Sequence, residues 1–221
     1  MSINWKSEWE EIGNSTDIFT QLGRNNFSFS ELILMLKDIN NVLSLKSNDN
    51  LLDIGCANGL VSGLLSPFCN TVLGIDFSNT HIAKAREAFK NNMSLSFIES
   101  DILDFDYGGF NKILINAVFQ YLEKDKLPSI FDKLIRSETE CVFIGHVPKM
   151  GKMRSFLEGY SEYISDPIIL KNKLDIWHNH MTWYNEKDFD IFKNTYHVEF
   201  LEPSDQLIQY KYCLNVALHK K

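Results

Sequence analysis

The run Leu51-Leu52-Asp53-Ile54-Gly55-Cys56-Ala57-Asn58-Gly59 restricts the folds open to this chain more than any other segment. Leu51 to Ile54 is a short, mostly apolar stretch, which suits a strand covered on both faces. Gly55 and Gly59 can take positive φ or let a ligand approach the backbone. Gly59 to Leu65 reads as a helix, stopped by Ser66-Pro67. A strand passing through a glycine turn into a helix opens a βαβ unit. In open α/β sheets, ligands bind beyond the carboxyl ends of such strands.

The alternation continues downstream. Thr71–Ile75, Leu95–Glu99, Lys112–Asn116 and Glu140–Gly145 read as further strands. Thr80–Asn91, capped by Ser78, and Pro128–Arg136 read as helices between them. Strands alternating with helices pair in parallel through right-handed crossovers. Upstream, Trp5, Trp9 and Ile12 fit one face of a short helix. Ser30 is the expected cap of a second helix, which carries Leu32, Leu36, Ile39 and Val42-Leu43 inward. After Val147 the pattern breaks, and residues 148–184 are long, aromatic and mixed. A connection of that length is expected to form a lid over an acceptor site. Asn185 caps a helix to Asn194. Residues 196–202 and 208–218 read as two last strands, joined at Pro203–Gln206 and able to form an antiparallel hairpin. The whole reads as a doubly wound α/β fold in a single domain over residues 1–221, with residues 1–30 as a helical cover. With 44% hydrophobic residues, the chain can fill a core on both faces of a sheet.

The glycine turn separates two cofactor classes. Dinucleotide folds place G-x-G-x-x-G at this point, whereas this chain has Gly55 and Gly59 with Ala57 between, and Asp53 at the strand end. A carboxylate facing a pyrophosphate is repelled. The same carboxylate suits a ligand with an ammonium, a sulfonium and no phosphate, such as S-adenosylmethionine. Asp76 ends the second strand, where its carboxylate can accept two bonds from a ribose diol. Phe77 can pack on the adenine face. Asp101 can accept from the adenine amino group while the Ile102 backbone N–H donates to a ring nitrogen. Backbone groups at Asn116 and Ala117 can line the methionine arm.

Asp53–Gly59, Asp76 and Asp101, in this order and at these intervals, resemble the class I S-adenosylmethionine-dependent methyltransferases. The resemblance covers roughly residues 30–147 and extends toward the end of the chain. It implies a seven-stranded, mostly parallel sheet of order 3-2-1-4-5-7-6, an antiparallel last hairpin and helices on both faces. It also implies S-adenosyl-L-methionine as cofactor and S-adenosyl-L-homocysteine as product. The family's first motif assigns Asp53, Gly55, Cys56, Ala57 and Gly59 to the cofactor; Ala57 stands where glycine is commoner, and its methyl is small. N-terminal segments close over the cofactor in that family, which places Arg24 beside the methionine carboxylate. The Trp-rich start and the turn Gly145-His146-Val147-Pro148 are faintly similar to bacterial methyltransferases of polysaccharide or glycan pathways. O- or N-methylation of a small molecule, with a sugar or glycan precursor among the acceptors, is the function this implies.

On the acceptor side, His146 directly follows the fifth strand and is a candidate general base. An equal alternative is a hydrogen-bonded histidine at a strand end. Gln120, Tyr121, His178 and Trp183 are candidate acceptor contacts. Trp5 and Trp9 are expected to staple the first helix onto the domain, and His81 to be exposed. No metal site is expected: no C-x-x-C pair occurs, and Asp175 is the one carboxylate near His178 and His180. A net charge of −7 argues against a nucleic-acid partner. No apolar run approaches the roughly 20 residues of a membrane span, and the polar start carries no signal pattern, so a cytoplasmic protein is expected. Oligomeric state is not legible. Two other functions remain open: an NAD-type dehydrogenase, against which the missing G-x-G-x-x-G speaks, and a methyltransferase fold kept as a non-catalytic binding subunit, against which the three aspartates speak.

Overall fold

The computed structural model describes residues 3–24, 27–137, 139–160, 166–207 and 211–221. Tyr163, Asn25-Asn26 and residues 208–210 of the expected last strand lie outside the described residues. The strands are β1 (Asn50–Ile54), β2 (Thr71–Asp76), β3 (Leu95–Glu99), β4 (Lys112–Asn116), β5 (Cys141–Pro148), β6 (Tyr196–Leu201) and β7 (Cys213–Lys220). They form one sheet of order β3-β2-β1-β4-β5-β7-β6. The first five pair in parallel, while β7 is antiparallel to both β5 and β6. The strand order expected from the resemblance is therefore the one observed.

The period-2 alternation of apolar side chains builds two cores from single strands. Leu52, Ile54, Ile113, Ile115, Val142 and Ile144 face one side. There they meet Ile130, Phe131 and Leu134 of α5 (Leu127–Arg136). Leu51, Val72, Leu114 and Phe143 face the other side. That face is covered by α2 (Phe29–Leu43), α3 (Leu60–Leu65) and α4 (Asn79–Ala88). Burying each such side chain contributes about 1.5–3 kcal/mol, an upper figure because the unfolded chain is itself partly compact. Outside this frame, α1 (Trp5–Gly13) precedes the sheet, and α6 (Met153–Tyr160) and α7 (Pro167–Asn179) fill the segment after β5.

Several boundaries differ from the sequence reading. Ser28, not Ser30, caps α2: its hydroxyl accepts from the Glu31 N–H and the Glu31 carboxylate accepts from the Ser28 N–H, a capping box. The fifth strand runs on through His146 to Pro148, with a register shift between Ile144 and Val147 where it pairs with β7. The last strand starts at Cys213, so the link after β6 is longer than Pro203–Gln206. Glu186–Asn194 is a 3₁₀ rather than an α-helix. Three residues per turn put Phe189 and Phe192 on one face, where both are buried against Phe131. His81 is fully buried rather than exposed; its ring bonds Ser78 Oγ at 2.9 Å and the Gln21 carbonyl at 2.8 Å.

Gly59 has a packing role. Its φ is +75°, and a Cβ built there would lie 2.5 Å from the Phe97 ring. Gly59→Ala is expected to destabilise the protein by about 2 kcal/mol or more, from the left-handed backbone and the ring that must move. A urea midpoint equal to wild type would contradict this.

Candidate cofactor and acceptor site

Strand order reverses between β1 and β4, because β1 pairs with β2 on one side and β4 on the other. The crevice at their carboxyl ends is where an open sheet binds ligands. A cavity of about 710 Å³ lies there, within the range of small-molecule sites. Its walls include Asp53, Gly55, Cys56, Ala57, Asp76, Phe77, Asp101, Ile102, Asn116, Ala117 and Arg24. Eleven of the twelve residues read as cofactor contacts thus face one space. The exception is Gly59, which does not line it and packs beneath the turn on Phe97.

The turn after β1 is held by backbone bonds. The N–H groups of Gly55 and Cys56 both donate to the Ile75 carbonyl, at 2.8 and 3.0 Å. Gly55 has φ +76° and Ala57 φ +46°. A side chain at Gly55 would strike Val118. Asp76 ties this turn to the next one. Its Oδ2 accepts from the Ala57 N–H at 3.0 Å and its Oδ1 from the Ser78 N–H at 2.9 Å. Burial raises the Asp76 pKa, opposed by these two bonds and by His81. Each oxygen keeps a lone pair for another donor. Asp53 is buried at the end of β1 and accepts from Ser62 Oγ at 2.5 Å. Burial pushes its pKa up to about 7, with the nearby Asp76 charge adding to the rise and the Ser62 bond opposing it. Asp101 stays exposed, with Oδ1 accepting from the Leu103 N–H at 2.8 Å.

Strain gathers at the same rim. Ala117 after β4 has φ +58° and His146 in β5 has φ +55°, conformations that non-glycine residues seldom adopt. Gly145 accepts from the Ala117 N–H at 3.0 Å, which locks the two strand ends together. Asn116 Oδ1 is buried without a partner among the described residues.

The N-terminal helix closes one side. Trp5 and Trp9 meet the Tyr121 ring edge-on, with centroids 4.7 and 5.5 Å apart, and all three line the cavity. Trp9 also lies 5.7 Å from the His81 ring. The two tryptophans therefore both attach α1 and form wall. Glu10 accepts from the N–H groups of Asn79 and Thr80 at 2.8 and 3.0 Å, capping α4 from another helix. Glu10→Ala is expected to weaken S-adenosylhomocysteine binding by about 3–10-fold while costing about 1 kcal/mol of stability. Calorimetry paired with thermal melts checks it; an unchanged affinity would mean that α1 does not depend on this cap.

The acceptor candidates divide. Tyr121 lines the cavity, but Gln120 does not: it is buried, donating from Nε2 to the Ala117 carbonyl at 2.8 Å, which supports the strained turn. His178 and Trp183 are also elsewhere. His178 lies on α7 beside a shallow surface groove with Leu157 and Lys171. Trp183 is buried 5.4 Å from the Phe156 ring. Asn179, His180, Met181 and Thr182 reach the cavity instead, and the Thr182 N–H donates to the Gln120 carbonyl at 2.9 Å. The helical spacing of α7 explains the error, since His178 and His180 lie on one side only of an extended segment. His146 is buried and does not line the cavity; its Nδ1 is 2.5 Å from Arg24 Nη2. Burial and the Arg24 charge hold its pKa well below 6.5. An imidazole that reluctant to take a proton, behind the wall, is not placed as a general base. No group of three or more His, Cys, Asp or Glu side chains among the described residues could hold a metal. Nor is any helix among them long and apolar enough to cross a membrane.

Residues 51–138 match the family model described as a methyltransferase domain. The match falls on the segment from β1 through α5, and the strand order is the one expected from the resemblance. The chain is 30% identical over 89 residues to a carboxy-S-adenosyl-L-methionine synthase of Chromohalobacter salexigens, covering 37% of this chain and 33% of that protein. It is 32% identical over 75 residues to nodulation protein S of Sinorhizobium fredii, covering 34% of this chain and 35% of the relative. The chain thus spans about a third of the length of these two curated relatives. Among solved structures, the N-methyltransferase NodS from Bradyrhizobium japonicum, in complex with S-adenosyl-L-homocysteine, superposes with a TM-score of 0.72 at 18% identity, over 99% of both chains. At that identity the likeness is one of fold.

Proposed function

We propose that this protein transfers the methyl group of S-adenosylmethionine to a small-molecule amine. One observation carries the reading: Asp53, Asp76, Asp101 and Arg24 line a single cleft at the strand switch point. Three acceptors and one cation are the complement of an ammonium, a ribose diol, an adenine amino group and a carboxylate. The bound cofactor supplies a methyl already activated on a sulfonium, so the protein has to align the reactants and keep water out. Asp76 receives hydroxyl donors on the lone pairs left free by Ala57 and Ser78. Asp53 meets the ammonium as a carboxylate, and Arg24 meets the carboxylate. Trp5, Trp9 and Tyr121 exclude water from one side. The acceptor enters at the end formed by Tyr121 and His180–Thr182.

Nitrogen is favoured over oxygen because His146 is engaged with Arg24. A neutral amine attacks through its own lone pair and sheds its proton afterwards, with His180 at hand to take it. The similarity to a structure described as an N-methyltransferase supports the same choice. Titration calorimetry with S-adenosylhomocysteine and, separately, NAD tests the cofactor part. Saturable binding of the first with a Kd in the micromolar range or tighter, about −8 kcal/mol, is expected, with no heat from NAD. Binding of NAD alone would favour a dehydrogenase, and binding of neither a non-catalytic subunit.

A further inference from the structure

We propose that His146 is a positioning residue: it holds the Arg24 guanidinium toward the cavity so that Arg24 can receive the carboxylate of the cofactor's amino-acid arm. The proposal rests on the cofactor reading above and adds a role for a residue that the sequence suggested as a base.

Arg24 follows Gly23, whose φ is +68° and where a Cβ would lie 2.8 Å from the Trp9 ring. Its guanidinium carbon sits 4.9 Å from the Phe27 ring centre, and Nη2 is 2.5 Å from His146 Nδ1. His146 is fixed in turn. Its left-handed backbone falls at the register shift in β5, and its N–H donates to Asn215 Oδ1 of β7 at 2.9 Å. The His146 backbone is thereby fixed by two strands, from which its ring meets Arg24. Guanidinium only donates, so Nδ1 must carry the lone pair and the ring proton must sit on Nε2. A protonated imidazole would face a cation with a cation.

The titratable and charged groups facing Arg24 are the phenols of Tyr212 and Tyr121, the thiol of Cys213 and the Glu31 carboxylate. Arg24 is the charged group facing His146. Glu31 is engaged at the α2 cap by the Ser28 N–H and hydroxyl, at 2.8 and 2.7 Å. Among the described residues, Arg24 makes no ion pair. A desolvated cation on a cavity wall without an anionic partner is unfavourable by itself. An incoming carboxylate completes it, using guanidinium donors that His146 leaves free.

The test compares S-adenosylhomocysteine with its analogue lacking the carboxylate, by calorimetry at neutral pH, on wild type, His146→Ala and His146→Gln. Wild type is expected to prefer the carboxylate ligand by about 10-fold or more. His146→Ala is expected to lose most of that preference, through weaker binding of S-adenosylhomocysteine alone. His146→Gln, whose Oε1 can accept from the guanidinium, should restore it to within about threefold. With the methylation assay in hand, the alanine variant should raise the cofactor KM and leave kcat near wild type. His146→Met, which fills the space without a comparable acceptor, replaces the alanine variant if that does not fold. A full preference in the alanine and methionine variants, an equal loss for both ligands, or a fall in kcat at constant KM would overturn the proposal. If wild type binds neither ligand, the cofactor reading itself is what fails.

Discussion

Asp76→Asn is expected to lower the affinity for S-adenosylhomocysteine by about 100-fold or more, equivalent to roughly 3 kcal/mol. The reason is local. Oδ2 accepts from the Ala57 N–H and Oδ1 from the Ser78 N–H. An asparagine has one oxygen, so in either orientation its NH₂ group faces a backbone donor. Leaving one buried N–H unsatisfied costs about 1–3 kcal/mol. The two turns joined by Asp76 are also the ones that shape the nucleoside end of the cavity, and the amide offers the ligand diol one acceptor fewer. Calorimetry on a variant with a cooperative thermal transition checks this. An affinity within threefold of wild type would show that Asp76 is a structural tie and nothing more.

Asp53→Asn is expected to act in opposite directions on stability and on binding. In the ligand-free fold, burial raises the Asp53 pKa to about 7, with help from Asp76 and against the Ser62 hydrogen bond. The unfolded chain releases the same proton near pH 4. Between these values the folded state holds one proton more than the unfolded state. Stability from this group therefore falls as pH rises from about 4 to about 7, and stays low above that. The asparagine carries no such penalty. The variant should melt at least about 3 °C above wild type at pH 8, with a smaller difference at pH 5. Binding reverses the sign. A ligand ammonium stabilises the carboxylate, so wild-type affinity should rise with pH up to about 7, with proton release on binding below that point. Asp53→Asn should bind at least about 10-fold more weakly at pH 8 and lose the pH dependence. A pH-independent wild-type affinity would remove Asp53 from the ammonium site.

Much of this molecule is legible locally. The apolar alternation in Leu51–Ile54, Lys112–Asn116 and Cys141–Ile144 distributes side chains to two cores without reference to anything distant. The Asn185 and Ser78 caps lie within four residues of the donors they serve. Even the shifted cap at Ser28 was present as Ser28-Phe29-Ser30-Glu31. The carboxylates of the site are legible for a related reason: each ends a strand or begins the turn after one, so a parallel sheet brings Asp53, Asp76 and Asp101 to the same edge.

The sequence by itself therefore determined the strands, the glycine turn and the acidic side of the cleft, since period, cap and strand end act over a few residues. Tertiary structure alone decided the rest. Arg24 and His146 meet across 122 positions, and Glu10 caps a helix 69 positions away. His180 rather than His178 reaches the cavity because the segment is helical, and Gln120 turns inward to support Ala117. Such pairings depend on how finished elements pack against each other, which no local spacing encodes.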